Sequence, residues 1–280
     1  MAEVDGSDVA DARSAPTGQL QRAVRVLDVL ADADQPLTIR AVAECTMLSK
    51  SAVHRLLADL VTTDLATQDP ATRRYRLGPR TLALGVAYQD RMDVRRVALP
   101  FMRSLRDTTG ETIGLSVGLG DEVLHIEQVE SESPLRARFD IGRPLPLWSG
   151  APSRLLLAER SDEEVRRIVS DRAHPGLVPV NPPSPEALMK EVLAVRGAGH
   201  AGAFEETLPG VSTLSVPVHG ASGDLAAILS LTAPSSRLDR DQTRAVLPSV
   251  METARSISNA LGWRGARSSA PQVVTTGPPG

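Results

Sequence analysis

The strongest candidate for chemistry is a run of small polar and basic residues at positions 49–55. Apolar residues recur through this run at core spacing, which predicts a helix whose polar residues share the opposite side. That polar set consists of Ser49, Lys50, Ser51, His54 and Arg55. Hydrogen-bond donors near a helix N-terminus are typical of DNA-binding helices, where they contact phosphates and base edges. Any amphipathic helix has a polar face, so the run alone leaves a purely structural interpretation open.

A second basic group follows in Arg73, Arg74 and Arg76. It belongs to a predicted hairpin, in which strands at 65–68 and 73–77 flank an Asp-Pro turn. Arginines on such a hairpin can follow a phosphate backbone and gain affinity by releasing counterions.

The sequence pattern predicts that three helices and the hairpin position these residues. The first helix starts at Leu20, and its spacing predicts one inward face, which consists of Leu20, Ala23, Val24, Leu27 and Leu30. Thr38 and Ser49 are the candidate N-caps of the second and third helices. Helix, helix, tight turn, helix and hairpin is the order of a winged helix-turn-helix.

The rest of the chain predicts an α+β domain. After helices at 80–97 and 100–109 come strands near 115–119, 123–129 and 136–141, helices near 150–160, 162–171 and 185–197, strands at 212–219 and 225–232, and a helix at 239–261. Pairs of strands near the start and near the end of this part of the chain, with helices between them, predict an antiparallel sheet in a sensor-like domain. The predicted organisation is a disordered lead (1–18), a winged helix-turn-helix domain (19–79), a linker helix (80–97), the α+β domain (98–262) and a disordered tail (263–280).

Charge is distributed unevenly along the 280 residues, whose formal net charge is −3. Residues 19–96 form the only sizeable basic block, which hints at an anionic partner for the front of the chain. No apolar run is long enough for a membrane span, and the acidic N-terminus does not resemble a signal peptide. We therefore expect a cytoplasmic protein that does not contact a membrane. Seven aromatic residues are too few for a platform that stacks the bases of single strands.

Signals for enzymatic or metal chemistry are weak. The chain has no Gly-x-Ser-x-Gly elbow, P-loop or Gly-x-Gly-x-x-Gly motif. His125 and Glu127, two apart on a predicted strand, could begin a metal site, but no third ligand stands at suitable spacing. Glu205 and Glu206 are predicted to be solvated acids, and Cys45 a buried structural thiol. We expect no catalytic residue, metal or cofactor.

Several segments resemble the IclR family of bacterial transcriptional regulators. In the N-terminal part they are 19–24, 48–57 and 74–78, and in the C-terminal part 109–112, 129–131, 142–147, 208–211 and 228–234. The resemblance covers about residues 19–262 and adds Arg22 to the expected DNA contacts. It implies a GAF-like C-terminal domain that binds a small organic effector. It also implies homodimers, often paired into tetramers, on palindromic double-stranded DNA.

The same resemblance places the effector pocket on small and hydroxylated residues. Carried over, they are Gly150, Ala151, Ala203, Thr213, Ser230 and Thr232, and Trp148 is a bulky neighbour that this sequence adds. Small residues that simply permit close packing are the alternative. Ala203 offers no charge, Trp148 adds an apolar surface, and Ser230 with Thr232 supplies hydroxyls for one polar end of a ligand. We therefore expect a small carboxylic acid or phenol with an apolar body. Whether Arg154 faces the pocket or solvent stays open.

The sequence thus predicts a non-enzymatic, effector-controlled DNA-binding regulator. Two alternatives remain: a small-molecule enzyme built on the C-terminal domain, and a winged helix used only for protein contacts. A steep salt dependence of duplex binding, together with release by a metabolite, would separate the three.

Overall fold

The structure, a computed structural model, describes residues 18–90, 93–170 and 184–265. The predicted lead and tail lie outside these ranges, apart from Gly18 and residues 263–265. The chain divides into two compact units, Met1–Arg91 and Met92–Gly280. Among the helices in the described ranges, none is long and apolar enough to cross a bilayer.

The N-terminal unit has the predicted order of helices and strands. It contains α1 (Gln19–Ala31), α2 (Ile39–Thr46), α3 (Lys50–Thr62), β1 (Ala66–Gln68), β2 (Tyr75–Leu77) and α4 (Pro79–Asp90). Strands β1 and β2 pair antiparallel as the expected hairpin. Apolar side chains from α1, α2, α3 and the hairpin form one core, with Val26, Val42, Val53 and Leu57 fully enclosed.

Both predicted N-caps are confirmed. The Thr38 hydroxyl accepts a hydrogen bond from the Ala41 N–H, and the Ser49 hydroxyl accepts one from the Ala52 N–H, each at 3.3 Å. Each cap satisfies a backbone donor that has no partner inside its helix. Between the two helices Met47 adopts a left-handed conformation, with φ 58°, and this residue makes the tight turn.

Two burial expectations in this unit are wrong. Leu20 and Val24 are 78% and 47% exposed, whereas Leu30 is buried as predicted. Val26, which was not predicted to face inward, is buried beside it. Helix α1 carries apolar residues on two sides, so periodicity alone cannot choose the buried one. Cys45 is exposed rather than buried, because α2 turns its neighbours Val42, Ala43 and Thr46 inward.

The C-terminal unit is an α+β domain built on a six-stranded antiparallel sheet. Its helices are α5 (Asp93–Thr109), α6 (Ala151–Ala158), α7 (Asp162–Ser170), α8 (Pro185–Ala198) and α9 (Arg240–Ala260). Its strands are β3 (Thr112–Leu119), β4 (Glu122–Val129), β5 (Pro144–Pro146), β6 (Ala201–Phe204), β7 (Val211–His219) and β8 (Leu225–Pro234). The order across the sheet is β5-β4-β3-β8-β7-β6.

The two faces of this sheet differ in chemistry because side chains alternate along each strand. One face is aliphatic, with Leu115, Leu214 and Leu229 in the core, and α5 and α9 pack against it. Hydroxyl groups line the other face: Thr112, Ser116, Thr213, Ser215, Ser230 and Thr232. Helix α6 contacts strands β4, β6, β7 and β8. The hydroxyl face supplies the floor of the cavity described below.

The predicted linker helix over 80–97 is wrong in its bounds. Helix α4 ends at Asp90 and α5 begins at Asp93, while residues 91 and 92 lie outside the described ranges. Pro100, expected to open a helix, lies inside α5. It has no N–H to donate to the Arg96 carbonyl, but a single missing bond does not end a 17-residue helix that is packed on the core.

The third strand predicted near 136–141 does not form. The backbone of this segment forms hydrogen bonds outside any strand ladder. The Thr112 hydroxyl donates to the Ala137 carbonyl, and the Phe139 N–H donates to the Gln128 side chain. Just after the segment, the Gly142 N–H donates to the His125 carbonyl. The edge strand is β5, two residues of which are proline. Proline is tolerated at a sheet edge because one side of the strand needs no donor.

Candidate functional site

The predicted polar face of α3 is exposed as one surface. Ser49, Lys50, Ser51, His54 and Arg55 are all exposed, while Val53, Leu56 and Leu57 point into the core. The Ser49 hydroxyl lies 3.1 Å from that of Ser51. Arg22, from α1, lines a shallow cleft together with His54 and Arg55. Within residues 18–90, Lys50, His54 and Arg55 form no hydrogen bond or ion pair through their side chains, so their donors face solvent.

The hairpin, here called the wing (residues 66–77), carries the three predicted arginines, all exposed. Its turn is fixed by Asp69, whose carboxylate accepts hydrogen bonds from the N–H groups of Thr72 and Ala71. These bonds favour the charged carboxylate and hold the pKa of Asp69 below its usual value. Arg73 follows in the left-handed region, with φ 57°.

Arg74 differs from its two neighbours on the wing. Its guanidinium donates to the Pro36 carbonyl at 3.2 Å, beside a backbone bridge between Leu37 and Tyr75. Arg74 therefore ties the wing to the segment before α2, whereas Arg73 and Arg76 have no such bond among the described residues.

A cavity of about 120 Å³ lies on the hydroxyl face of the sheet, at the start of α6. Five predicted pocket residues line it: Gly150, Ala151, Ala203, Thr213 and Thr232. Its remaining wall is largely apolar and includes Val123, Leu145 and Phe139. Phe139 lies directly over Gly114, where an added Cβ would approach its ring to 2.4 Å. A glycine at position 114 thus makes room for this wall.

Two predicted pocket residues lie elsewhere. Trp148 is buried in a cluster with Leu157, Val165 and Ile168, so it does not line the cavity. The hydroxyl of Ser230 bonds to that of Ser215 at 2.8 Å within the sheet, and both side chains are fully enclosed.

The start of α6 is occupied by a carboxylate that the sequence did not single out. Glu206 is buried, contrary to the expected solvation, whereas Glu205 is exposed. One oxygen of Glu206 accepts from the Gly150 N–H at 2.8 Å, and the other lies 2.6 Å from Arg154. Arg154 also pairs with Glu191. Burial alone would lower the pKa of Arg154, but the ion pairs with Glu206 and Glu191 raise it above its usual value.

This network settles the open orientation of Arg154, which faces neither solvent nor the cavity. A signal for its partner was present in the sequence. Arg154 is the only charged residue of α6, which is otherwise apolar except for Ser153. A charge on a buried helix needs a partner. Nothing local distinguished Glu206 from Glu205 as that partner.

The hydroxyls of Thr213 and Thr232 form a directed chain. Thr232 donates to the Ser212 carbonyl at 3.0 Å, so the 2.9 Å contact between the two threonines uses the proton of Thr213. Thr213 therefore offers only lone pairs to the cavity. Ser149, 4% exposed, also lines the cavity, and its hydroxyl has no hydrogen-bond partner among the described residues.

His125 lines the cavity from β4 and is buried. Its Nδ1 lies 2.7 Å from the Ser116 hydroxyl, and its ring centroid lies 4.6 Å from that of Phe139. Burial lowers the pKa of His125 to about 4, against a smaller opposing effect of Asp140. At neutral pH the imidazole is uncharged.

The suggested pairing of His125 with Glu127 does not occur. The register of β4 shifts so that Ile126 has no residue opposite it, and Glu127 pairs with Arg95 of α5 at 2.7 Å. An extra residue in a strand breaks the alternation of faces. The described residues contain no group of three or more His, Cys, Asp or Glu side chains arranged for a metal ion.

Comparison with known proteins gives matches over most of the chain. The family described as "Bacterial transcriptional regulator IclR C-terminal" matches residues 86–259, and the IclR helix-turn-helix domain matches residues 19–70. The HTH-type transcriptional regulator BhcR of Paracoccus denitrificans is 29% identical over 245 residues, covering 88% of each chain.

Solved structures share the fold. The crystal structure of an IclR transcriptional regulator from Alicyclobacillus acidocaldarius superimposes with a TM-score of 0.73 at 26% identity, covering 87% of this chain and 98% of that one. An IclR homologue from Microbacterium hydrocarbonoxydans, complexed with 4-hydroxybenzoate, gives a TM-score of 0.67 at 22% identity, covering 87% and 99%.

Proposed function

This chain belongs to the IclR family of bacterial transcriptional regulators, which are not enzymes, and we propose that it reads operator DNA through the exposed face of α3. The observation that carries this proposal is the set of unpaired donors on Lys50, His54 and Arg55. A recognition helix uses such donors for base edges and phosphates. The wing arginines supply affinity that does not depend on sequence. Since chromosomal DNA is the partner, we place the protein in the cytoplasm.

We further propose that the protein acts as a homodimer, or a tetramer of two dimers, on palindromic DNA. Helix α4 supports this proposal, because its large apolar side chains are exposed on every side: Leu82, Leu84, Val86 and Tyr88. The exposed Leu20 and Val24 of α1 add apolar surface to the same unit. A helix that is apolar all round is normally covered. A second copy of the chain would cover it and place two recognition helices on two half-sites.

The cavity on the sheet is the proposed effector site. Its largely apolar wall and few polar groups suit a small organic molecule with an apolar body, either a carboxylic acid or a phenol. The 4-hydroxybenzoate held by the Microbacterium homologue combines both groups on one ring. Effector binding would shift the population of the DNA-competent conformation.

The test is to select duplexes that bind the purified full-length protein and to measure their affinity by fluorescence anisotropy. We expect affinity to fall steeply with salt, and a small organic ligand to release or tighten the DNA. Association that does not respond to salt would favour a protein-contact module. Conversion of the ligand to a product would favour an enzyme.

A further inference from the structure

We infer that the effector binds as an uncharged hydrogen-bond donor, such as an alcohol, phenol or amide, and that Glu206 excludes carboxylates from the cavity. The inference rests on the proposed effector site. It keeps the phenols of the ligand class proposed above, removes the carboxylic acids and adds other uncharged donors.

The first argument is the occupied start of α6. A helix N-terminus normally offers free N–H groups to an anion. Here the Gly150 N–H already donates to Glu206, and Pro152 has no N–H to give. A ligand carboxylate that took the Gly150 N–H would have to displace Glu206 from it. The anion at the start of α6 is therefore the carboxylate of Glu206, a group of the protein itself.

The second argument is the charge of the lining. Three residues that line the cavity carry charge: Glu206, Asp140 and Arg138. Arg138 is largely exposed and already paired with Glu130 at 3.1 Å, while Arg154 is neutralised by two carboxylates. His125 is neutral at neutral pH. Asp140 is paired with Arg143 at 3.4 Å, whereas Arg154 has two carboxylate partners, so that group keeps one net negative charge. A bound carboxylate would meet this charge with no free cation among the lining residues.

The third argument is the direction of the hydrogen bonds. Glu206 is an acceptor. The Thr213 hydroxyl already donates its hydrogen bond to Thr232, so it too can only accept from a ligand. The buried Ser149 hydroxyl has no partner and can both donate and accept. A ligand hydroxyl can accept from Ser149 while donating to Glu206 or Thr213. A carboxylate can only accept, so it can bond to Ser149 but to neither Glu206 nor Thr213.

The experiment titrates the full-length protein with isosteric pairs by calorimetry: benzamide against benzoate, and 3-methylbutanamide against 3-methylbutanoate. Phenol and benzyl alcohol test the hydroxyl donors. We expect each amide to bind more tightly than its carboxylate by about tenfold or more, because the site's acceptors reject a ligand without a donor. Glu206→Gln should reverse the preference. Glu205→Gln removes the same charge from the adjacent exposed position and should leave the preference unchanged.

Glu206→Gln leaves Arg154 short of a partner, so the double variant Arg154→Gln with Glu206→Gln provides a neutral site should the single variant fail to fold. It too should bind benzoate more tightly than the wild type. Carboxylates that bind the wild type as tightly as their amides would overturn the inference, and the protein would still be effector-controlled. Absence of binding by every compound, to wild type and variants alike, would overturn both the inference and the proposed effector site.

Discussion

Arg55 is exposed on α3 and lies one turn after the helix start, where a recognition helix reaches base edges. We expect Arg55→Ala to weaken binding of the selected operator by about 1–3 kcal/mol and to relax preference at one base pair. The thermal midpoint should not change, because the side chain is exposed and makes no hydrogen bond or ion pair within residues 18–90. Arg103→Ala, which removes an exposed guanidinium from α5, is the matched control. Unchanged operator affinity in Arg55→Ala would remove this residue from the interface.

His125 makes stability depend on pH. Its pKa in the folded protein is about 4, below the usual 6.5, so the unfolded chain binds more protons between these values. Above pH 6.5 both states are neutral at this residue, and stability falls as the pH drops from about 6.5 toward 4. The loss can reach about 3 kcal/mol by linkage.

Urea unfolding at a series of pH values measures this effect. We expect His125→Gln to be less stable at neutral pH but to lose less stability between pH 6.5 and 4 than the wild type. His200→Gln, at a half-buried histidine outside the cavity, should keep the slope of the wild type. An identical slope in the wild type and His125→Gln would show that other groups cause the acid sensitivity.

At the scale of elements, two nearby arginines of the wing, Arg74 and Arg76, differ in what they contact within the protein. The side chain of Arg76 makes no hydrogen bond or ion pair within residues 18–90, whereas Arg74 also joins the wing to Pro36. An arginine that contacts one phosphate contributes about 1 to the slope of log affinity against log salt. The two residues should therefore give the same loss of DNA affinity but different losses of stability.

The comparison is Arg74→Gln against Arg76→Gln. Both variants should weaken all duplexes alike and lower the salt slope by about 1. Only Arg74→Gln should also destabilise the N-terminal unit, by about 0.5–1.5 kcal/mol for one hydrogen bond. Anisotropy over a salt series and thermal unfolding give the two readouts. A loss confined to the selected operator would show that the wing reads sequence.

For the whole molecule, the proposed dimer rests on the exposed apolar residues of α4. Leu82 is 71% exposed on this helix. Leu193, on α8, is 50% exposed and provides a matched leucine outside the proposed interface. A buried aspartate at a dimer interface would have no partner for its charge and would oppose association.

We expect Leu82→Asp to shift the protein toward monomer in sedimentation velocity at micromolar concentration, and Leu193→Asp to leave it as an oligomer. Affinity for a palindrome should fall in Leu82→Asp, while affinity for a half-site should not. If the wild type sediments as a monomer with and without DNA, the dimer proposal is wrong.

The sequence by itself determined the elements whose signals are local. Caps at Thr38 and Ser49, the period of α3 and the Asp-Pro turn are set by neighbours within a few residues, and the structure confirms them. The exposure of Lys50, His54 and Arg55 followed from the same helical period. Five of the residues that the family resemblance assigns to the effector pocket line the cavity on the sheet, and their role in binding an effector stays a prediction.

Only the tertiary structure decided features that depend on contacts between distant residues. Glu206 and Arg154 are 52 residues apart, and nothing near Glu206 distinguishes it from the solvated Glu205. The shift at Ile126, which parts His125 from Glu127, depends on pairing with β3. The segment near 136–141 has strand-like residues, yet side chains from other elements bond its backbone. Periodicity predicts which residues share a face of a helix or strand. The tertiary fold decides which other element covers this face.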